Sequence, residues 1–483
     1  EHTTCPMSSS SSSSTTTTSS TTTTSHVMEP VPEADEIGIT LNPYLHGRPT
    51  PRAVQDLRNP EKTHDISWTS KVLKSMKTIA NQLIGAEPDL KSFPGSHVVS
   101  LTRKALYDTL AKQSYYVCEK TDGVRYLLLC AQGQCFLIDR KDRYTWVNIF
   151  LPRRARPSDA AKGGWPPPNP TLVNNSSRLN NTLLDGELVI DKIKLPNGSI
   201  SHRLVFYIFD VMAVQQDPSM KPADCSVVSL PLPDRLRLLH SYVLEPRHQF
   251  QQAQHLKHLF NNELKQNSIH TPNGRGFDIK PKNMYRAEDT KYVLEVVLPH
   301  LPHEQDGLIY TAVNRRYTIG TDHSLIKWKP PYLNSVDFIL ESIVGANHQK
   351  YYYLMVGERN VERHTYEQTR VDWVTVSDKD RSEFNINGRV VVEAVWAKEL
   401  ETIVMKKNED SGSSKWVPGH TRIGGWKIIR TRPDKKSSND IRVYKKIKES
   451  IRDNVLEHDL IEALGDDGEN ATGLEPGAKK QRR

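Results

Sequence analysis

The segment from Tyr115 to Arg140, YYVCEKTDGVRYLLLCAQGQCFLIDR, constrains this chain more than any other. Apolar and aromatic residues run in short blocks, and Gly123 and Gly133 cut them into strand, turn, strand, turn, strand. Strands are expected again at Thr182–Ile190 and Leu204–Val214. Helical spacing of Val72, Leu73, Met76, Ile79, Ala80 and Leu83 predicts a helix over Thr69–Leu83, capped by Thr69 or Ser70. Further helices are expected over residues 98–110, Leu232–Tyr242 and Ala253–Lys265. After the Pro330-Pro331 break, Val336–Ile343, Tyr351–Val356 and Arg389–Ala397 read as a second β-rich region. The pattern is α+β on antiparallel sheet, not alternating β-α-β, with a smaller β-barrel at the C-terminal side.

The ends carry less. Residues 8–25 are all Ser or Thr and hold nothing a core could bury. We expect a disordered tail over 1–36, a main domain over 37–330, a barrel over 331–448, and an acidic tail over 449–483 with a short helix and a basic end. A polar loop insertion is expected at 152–180. The longest apolar runs, YLLLCA (126–131) and VFYIFDVMAV (205–214), fall far short of the ~20 residues a helix needs to cross a bilayer, so no membrane partner is expected. Neither a secretory signal nor a disulfide framework is expected: the start has no apolar centre, and the five cysteines form no C-x-x-C. The formal charge is +8, while residues 449–483 carry nine acidic and five basic side chains. The rest of the chain is therefore near +12, a modest pointer to a polyanionic partner.

The chemistry begins at Lys120-Thr121-Asp122-Gly123-Val124-Arg125. Alone, these residues are compatible with a hairpin whose Asp-Gly pair makes the turn and whose lysine is solvated. Five further elements follow in order: Asp185-Gly186-Glu187-Leu188, Phe209-Asp210, Glu304-Gln305-Asp306-Gly307-Leu308-Ile309, Lys327-Trp328-Lys329-Pro330, and Trp426 to Lys435 with its Arg430-Thr431-Arg432-Pro433-Asp434-Lys435 ending. Together they resemble the covalent nucleotidyltransferases, the superfamily of polynucleotide ligases and messenger RNA capping enzymes. The match spans about residues 115 to 440. KTDGVR, the stretch Phe277–Tyr285 (FDIKPKNMY) and the R-T-R-P-D-K ending resemble the stand-alone fungal guanylyltransferases rather than the ligases.

That resemblance implies a nucleotidyltransferase domain followed by an OB-fold, and a lysyl-GMP intermediate on the way to a capped RNA 5′ end. Lys120 would be the nucleophile. It must attack as a neutral amine, yet an ordinary lysine has a pKa of about 10.4, so neighbouring cations are needed to depress it. Lys327 and Lys329 would supply that field and contact the α-phosphate. Arg432, Asp434 and Lys435 would act with them on the leaving phosphates, joined by Arg430 as a nucleotide contact. Thr121, Arg125 and Glu187 would bind the nucleotide, the last two at the ribose hydroxyls. Phe209 would stack on guanine and Lys282 would read its O6, with Lys280 as the other candidate. Asp306 and Glu304 would place a divalent cation, magnesium or manganese, and no organic cofactor is implied. GTP is the substrate.

On the residues alone, Asp185-Gly186 and Asp306-Gly307 also fit ordinary turns, Phe209 fits a core position, and Arg430–Lys436 fits a solvated basic patch or a nuclear import signal. No cysteine follows a histidine, so a phosphatase H-C-x-x-x-x-x-R site is not expected. The resemblance then implies a separate RNA 5′-triphosphatase subunit, the nascent RNA 5′ end and the phosphorylated C-terminal tail of RNA polymerase II as partners, and the nucleus as the location. An ATP-dependent ligase and a non-catalytic RNA-binding scaffold are the competing readings.

Overall fold

The computed structural model describes residues 69–87, 90, 93–147, 149–156, 177–260, 277–360, 365–408 and 415–465. The expectations for the Ser/Thr run, for most of the 152–180 loop and for the basic C-terminal end lie outside the described residues. Helix α1 (Thr69–Leu83) leads to β1 (Ser96–Ser100), the short helix α2 (Arg103–Asp108) and β2 (Tyr115–Thr121). Then come β3 (Val124–Ala131), β4 (Gln134–Ile138), β5 (Tyr144–Val147), β6 (Thr182–Lys194) and β7 (Ile200–Ala213). Helices α3 (Leu232–Leu239) and α4 (Glu245–Phe260) are joined by a widened helical turn and form one run where the sequence suggested two pieces. Strands β8 (Asp278–Pro281), β9 (Tyr285–Arg286), β10 (Gln305–Ala312) and β11 (Gly320–Trp328) complete the first lobe. The second holds β12 (Ser335–Val344), β13 (Lys350–Asn360), β14 (Thr365–Val374), helix α5 (Asp378–Glu383), β15 (Val390–Lys407) and β16 (Trp416–Thr431). Helices α6 (Ile441–Asp453) and α7 (Glu457–Leu464) close the described chain.

These strands form three sheets, in the orders β5-β4-β3-β6-β7-β8, β1-β11-β10-β2-β9 and β14-β13-β12-β15-β16. The ladders are antiparallel except β1–β11 and β7–β8, which are parallel. The continuous apolar run YLLLCA is explained by β3, which is covered on both faces. Tyr126, Leu128 and Cys130 join the cluster of Leu239 and Val243, while Leu127, Leu129 and Ala131 join that of Met76, Ala80 and Leu83 on α1. A strand buried on both sides loses the polar alternation of a half-exposed one.

The Lys120 segment is not a hairpin. Strand β2 pairs with β10 and β9, whereas β3 pairs with β4 and β6. Asp122-Gly123 therefore carries the chain from one sheet to another. Gly123 is required there by space: a Cβ would sit 2.7 Å from the Leu188 carbonyl oxygen.

The C-terminal sheet wraps a core of Val336, Phe338, Leu354, Val392 and Trp426, into which α6 inserts Tyr444. Strands β14 and β16 escaped the sequence reading because much of each is polar and exposed, so neither shows a long apolar stretch. The segment after α6 also differs from a simple tail. Asn454 adopts a left-handed conformation that ends α6, and the chain turns back to the first lobe. There Val455, Leu460 and Leu464 pack with Leu106, Leu308 and Trp328, and the Trp328 indole donates to the Val455 carbonyl at 2.9 Å. Arg103 grips the same segment, bonding both Asp459 carboxylate oxygens at 2.9 and 3.0 Å and the Asn454 carbonyl at 3.1 Å.

This docking makes α7 part of the fold. Leu460 is fully buried, so Leu460→Ala should lower stability by about 2–5 kcal/mol, the usual range for a core leucine truncation. Urea unfolding followed by fluorescence measures it, and a midpoint equal to wild type would mean that the helix does not dock.

Candidate active site

Lys120 sits near the end of β2, beside a bulge in β10. Gln305 pairs with Thr121 and Leu308 with Glu119, so Asp306 and Gly307 form an extra loop of strand between those two pairs. Such bulges re-aim side chains, and here Asp306 is turned onto Lys120 as an ion pair. Gly307 permits the bulge: its φ is +145°, and a Cβ would lie 2.1 Å from the Trp328 carbonyl oxygen. The other oxygen of Asp306 is 3.2 Å from Lys329 Nζ. Lys327 lies in β11 between Ser100 and Ile309 and has no salt-bridge partner among the described residues. Burial, then the charges of Lys120 and Lys329, push its pKa below the ordinary lysine value despite Asp306.

These four residues line one pocket of about 290 Å³. The second lobe also contributes to its lining, with Asn334, Ser335, and Val443, Lys446, Ile447 and Ser450 of α6. Asp122, next to Gly123, has its carboxyl pKa raised by burial and then by Asp306. No cluster of three or more potential metal ligands occurs among the described residues. Magnesium does not need one, since it takes one or two carboxylates and completes its shell with phosphate oxygens and water. Asp306 and Asp122 fit that limited demand. Glu304 does not join them through its carboxylate, which is 61% exposed and bonded to Lys192 at 2.6 Å.

On the far side of β2, Lys282 is buried and its ammonium donates to Thr121 Oγ1 and to the Glu119 carbonyl at 2.9 Å. It thus fastens the residues on either side of Lys120. Burial alone would lower its pKa, but Glu119, Cys118 and Glu187 together outweigh burial and raise it. Its Nζ is also 5.9 Å from the Phe209 ring centroid. Lys280 points elsewhere, to Asp191 at 3.0 Å. His303 lies between Asp191 at 3.0 Å and Glu119 at 3.7 Å. Burial opposes its charge, yet the two carboxylates raise its pKa. Nothing in the local pattern around His303 or Glu119 signalled this network.

The second sheet supplies Arg125, Glu187 and Phe209. Arg125 and Glu187 are cross-strand partners on β3 and β6. The Arg125 guanidinium is bound to Asp185 at 2.9 and 2.6 Å and to the Ser96 carbonyl, and lies over the rings of Phe93 and Phe209. Tyr317 also donates to Asp185. Asp185 is therefore the anion that orients Arg125. It was visible in the sequence as part of Asp-Gly-Glu-Leu, whereas Ser96 and Tyr317 gave no sign. Burial raises the Glu187 pKa, and Lys282, Lys120 and Arg125 oppose it. Phe209 is partly buried, so its ring belongs in part to the core and in part to this site.

The barrel residues Arg430, Arg432, Asp434 and Lys435 are not on the pocket wall. Arg432 forms a two-pronged bond with Asp434 at 2.9 and 2.8 Å and reaches Asp337 at 2.8 Å. Lys435 also pairs with Asp337, and Arg430 with Glu393 at 2.5 Å. Hydrogen bonding to Arg432 holds the Asp434 carboxyl down to about 2. Asp337 and Glu393, which organise this cluster, were missed because they sit inside strands far from the basic motif. Ser335 links the two regions: it lines the pocket and donates to Glu393 at 2.6 Å.

Comparison with known proteins converges on one family. The model of the mRNA capping enzyme catalytic domain matches residues 61–331, and that of the mRNA capping enzyme C-terminal domain matches 333–461. The mRNA-capping enzyme subunit alpha of Saccharomyces cerevisiae is 30% identical over 433 residues, covering 82% of this chain and 83% of that protein. The protein of the same name from Candida glabrata is 29% identical over 426 residues, covering 81% and 85%. That from Neurospora crassa is 28% identical over 384 residues, covering 77% and 84%. With both of its lobes matched and the motif lysines gathered in one pocket, the chain belongs to the mRNA capping enzyme family and is a nucleotidyltransferase of the guanylyltransferase kind.

Proposed function

We propose that this protein moves GMP from GTP to the 5′-diphosphate end of nascent RNA through a covalent bond to Lys120. The observation that carries the reading is the pocket in which Lys120, Asp306, Lys327 and Lys329 meet. In the first step the Lys120 amine, having given up a proton and left Asp306, attacks the α-phosphorus of GTP. A P–N bond forms, the bond to the β-phosphate oxygen breaks, and pyrophosphate leaves. In the second, an oxygen of the RNA terminal phosphate attacks the same phosphorus, the P–N bond breaks, and the amine regains a proton.

Lys327 and Lys329 stabilise charge on the phosphoryl group as it transfers. Asp306 and Asp122 would hold a divalent cation, which supplies further charge neutralisation to the phosphates. Thr121, Arg125 and Glu187 bind the nucleotide, Arg125 mainly by ordering Phe209 and the strand opposite Glu187. Phe209 stacks on the base. Lys282 sits beside that ring and reads guanine O6 if it exchanges Thr121 for the base. The division at 37–330 and 331–448 places the nucleophile in the first domain and the barrel, an OB-fold, in the second. Relatives named subunit alpha support a second subunit, which we take to be the RNA 5′-triphosphatase. Acting on nascent transcripts, the protein would work in the nucleus, beside the phosphorylated C-terminal tail of RNA polymerase II.

Arg430, Arg432, Asp434 and Lys435 address the leaving pyrophosphate, which must lie in line with the attacking amine. Their position off the pocket wall supports a closing movement that brings them in for the first step and withdraws them for the second.

Incubation with labelled nucleotide tests the reaction. GTP should label the protein and ATP should not; the reverse would identify a ligase. Lys120→Arg keeps a cation that stays protonated and cannot attack, so it should abolish labelling with the melting temperature retained. Wild-type labelling in that variant would remove Lys120 from the mechanism.

Arg432→Ala and Asp434→Ala test closure. Both should cripple adduct formation from GTP and its reversal by pyrophosphate. Transfer to diphosphate-ended RNA should survive. It is measured on the little adduct that each full-length variant accumulates in a long incubation with GTP and pyrophosphatase, freed of GTP by desalting. Loss of both steps would mean that the motif is needed throughout.

A further inference from the structure

Helix α6 has an inner face and a strongly basic outer one. Tyr444, Ile447 and Ile451 turn toward the barrel core, while Arg442, Lys445, Lys446, Lys448 and Arg452 are exposed. Residues 443, 446, 447 and 450 stand on one side of the helix at the i, i+3, i+4, i+7 spacing. All four line the same pocket as Lys120, Lys327 and Lys329. Lys446 has no salt-bridge partner among the described residues. The pocket lining thus holds four lysines, namely Lys120, Lys327, Lys329 and Lys446, against one carboxylate, Asp306. Such an excess of positive charge suits more phosphate than a single transferring group provides.

In-line displacement determines where the extra phosphate stands. When the lysyl adduct is attacked, the incoming oxygen must approach the phosphorus from the side opposite Lys120 Nζ. Helix α6 lines the same pocket as Lys120. The cations of the barrel motif are engaged with Asp337, Glu393 and Asp434 and are absent from the pocket lining. Among the described lining residues, Lys446 is therefore the cation that the second lobe brings to the pocket of Lys120.

We propose that Lys446 receives the 5′-terminal phosphates of the acceptor RNA, with Ser450 beside it and the exposed Arg442 and Lys445 continuing along the sugar-phosphate backbone. The site rests on the reaction proposed above. It gives α6 the task of admitting RNA after pyrophosphate has gone.

The full-length protein is titrated with a fluorescent oligoribonucleotide carrying either a 5′-diphosphate or a 5′-hydroxyl, read by anisotropy. This measurement needs no catalysis, so it separates failure of the site from failure of the reaction. Wild type should prefer the diphosphate end, and Lys446→Ala should weaken that form about tenfold, as expected for one hydrogen bond to a charged group. The 5′-hydroxyl form should change far less, and Lys446→Arg should restore the preference. The salt dependence of diphosphate binding should become shallower by about 0.7 in slope, the share of one phosphate contact on a single strand. In turnover, the loss should appear in the KM for RNA more than in the yield of adduct from GTP. Equal binding of both RNAs by wild type, or an unchanged preference in both Lys446→Ala and Lys446→Glu, would overturn the site. So would a fall in adduct formation as large as the fall in transfer, which would make Lys446 a contact for GTP phosphates.

Discussion

The carboxylate of Asp306 holds the active pocket together. Lys120 on β2, and Lys327 and Lys329 on and just after β11, converge from either side of β10, where their like charges repel. Asp306 answers two of them at once, bridging Lys120 and Lys329. It can do so because β10 bulges at Asp306-Gly307, and that bulge needs a residue without a side chain where the strand nearly touches the Trp328 carbonyl. The third lysine is left without a salt bridge among the described residues, and burial first, then its cationic neighbours, hold its pKa below the ordinary lysine value. A cationic site compensated by one carboxylate is poised for phosphate, whose charge supplies what the protein withholds.

Lys120 also stands where two sheets part. Strand β2 and its sheet carry Lys120, Asp306 and Lys327, while the sheet of β3, β6 and β7 carries Arg125, Glu187 and Phe209. The turn at Asp122-Gly123 joins them and sets the distance between the lysine pocket and the Arg125, Glu187 and Phe209 group. Lys282 holds the end of β2 from behind through Glu119 and Thr121. The second lobe is bracketed: the chain leaves the first lobe after Trp328 and returns at Val455, whose carbonyl accepts from the same tryptophan. A movement of the barrel would therefore pivot near the strand that holds Lys327 and Lys329.

Much of this was legible because the reacting groups lie in short, ordered motifs. Lys120, Asp306, Lys327 and Lys329 are far apart in sequence, yet each motif marked its strand, and the strands meet. The two-sided burial of β3 was likewise written in an apolar run without alternation. What stayed hidden depends on long-range pairing. Asp337 and Glu393 are single acidic residues in strands, and only the register of β12 with β15 shows that they anchor the basic ending. Strands β14 and β16 are too polar along much of their length for an apolar pattern. The docking of Val455 and Leu460 on the first lobe could not be inferred from one short amphipathic stretch, because what seats it is the surface that Trp328 and Leu106 offer. Lys446 was one cation among many until the fold brought it to the pocket of Lys120.

The central claim is that Lys120, and no other lysine of the pocket, carries the nucleotide. The direct measurement is peptide mass spectrometry of the wild-type protein after incubation with GTP and a divalent cation, with digestion kept alkaline to preserve the P–N bond. The account predicts one GMP-modified peptide, with the added mass on Lys120. GMP on Lys327 or Lys329 instead, or no modified lysine in protein that turns over GTP, would contradict it.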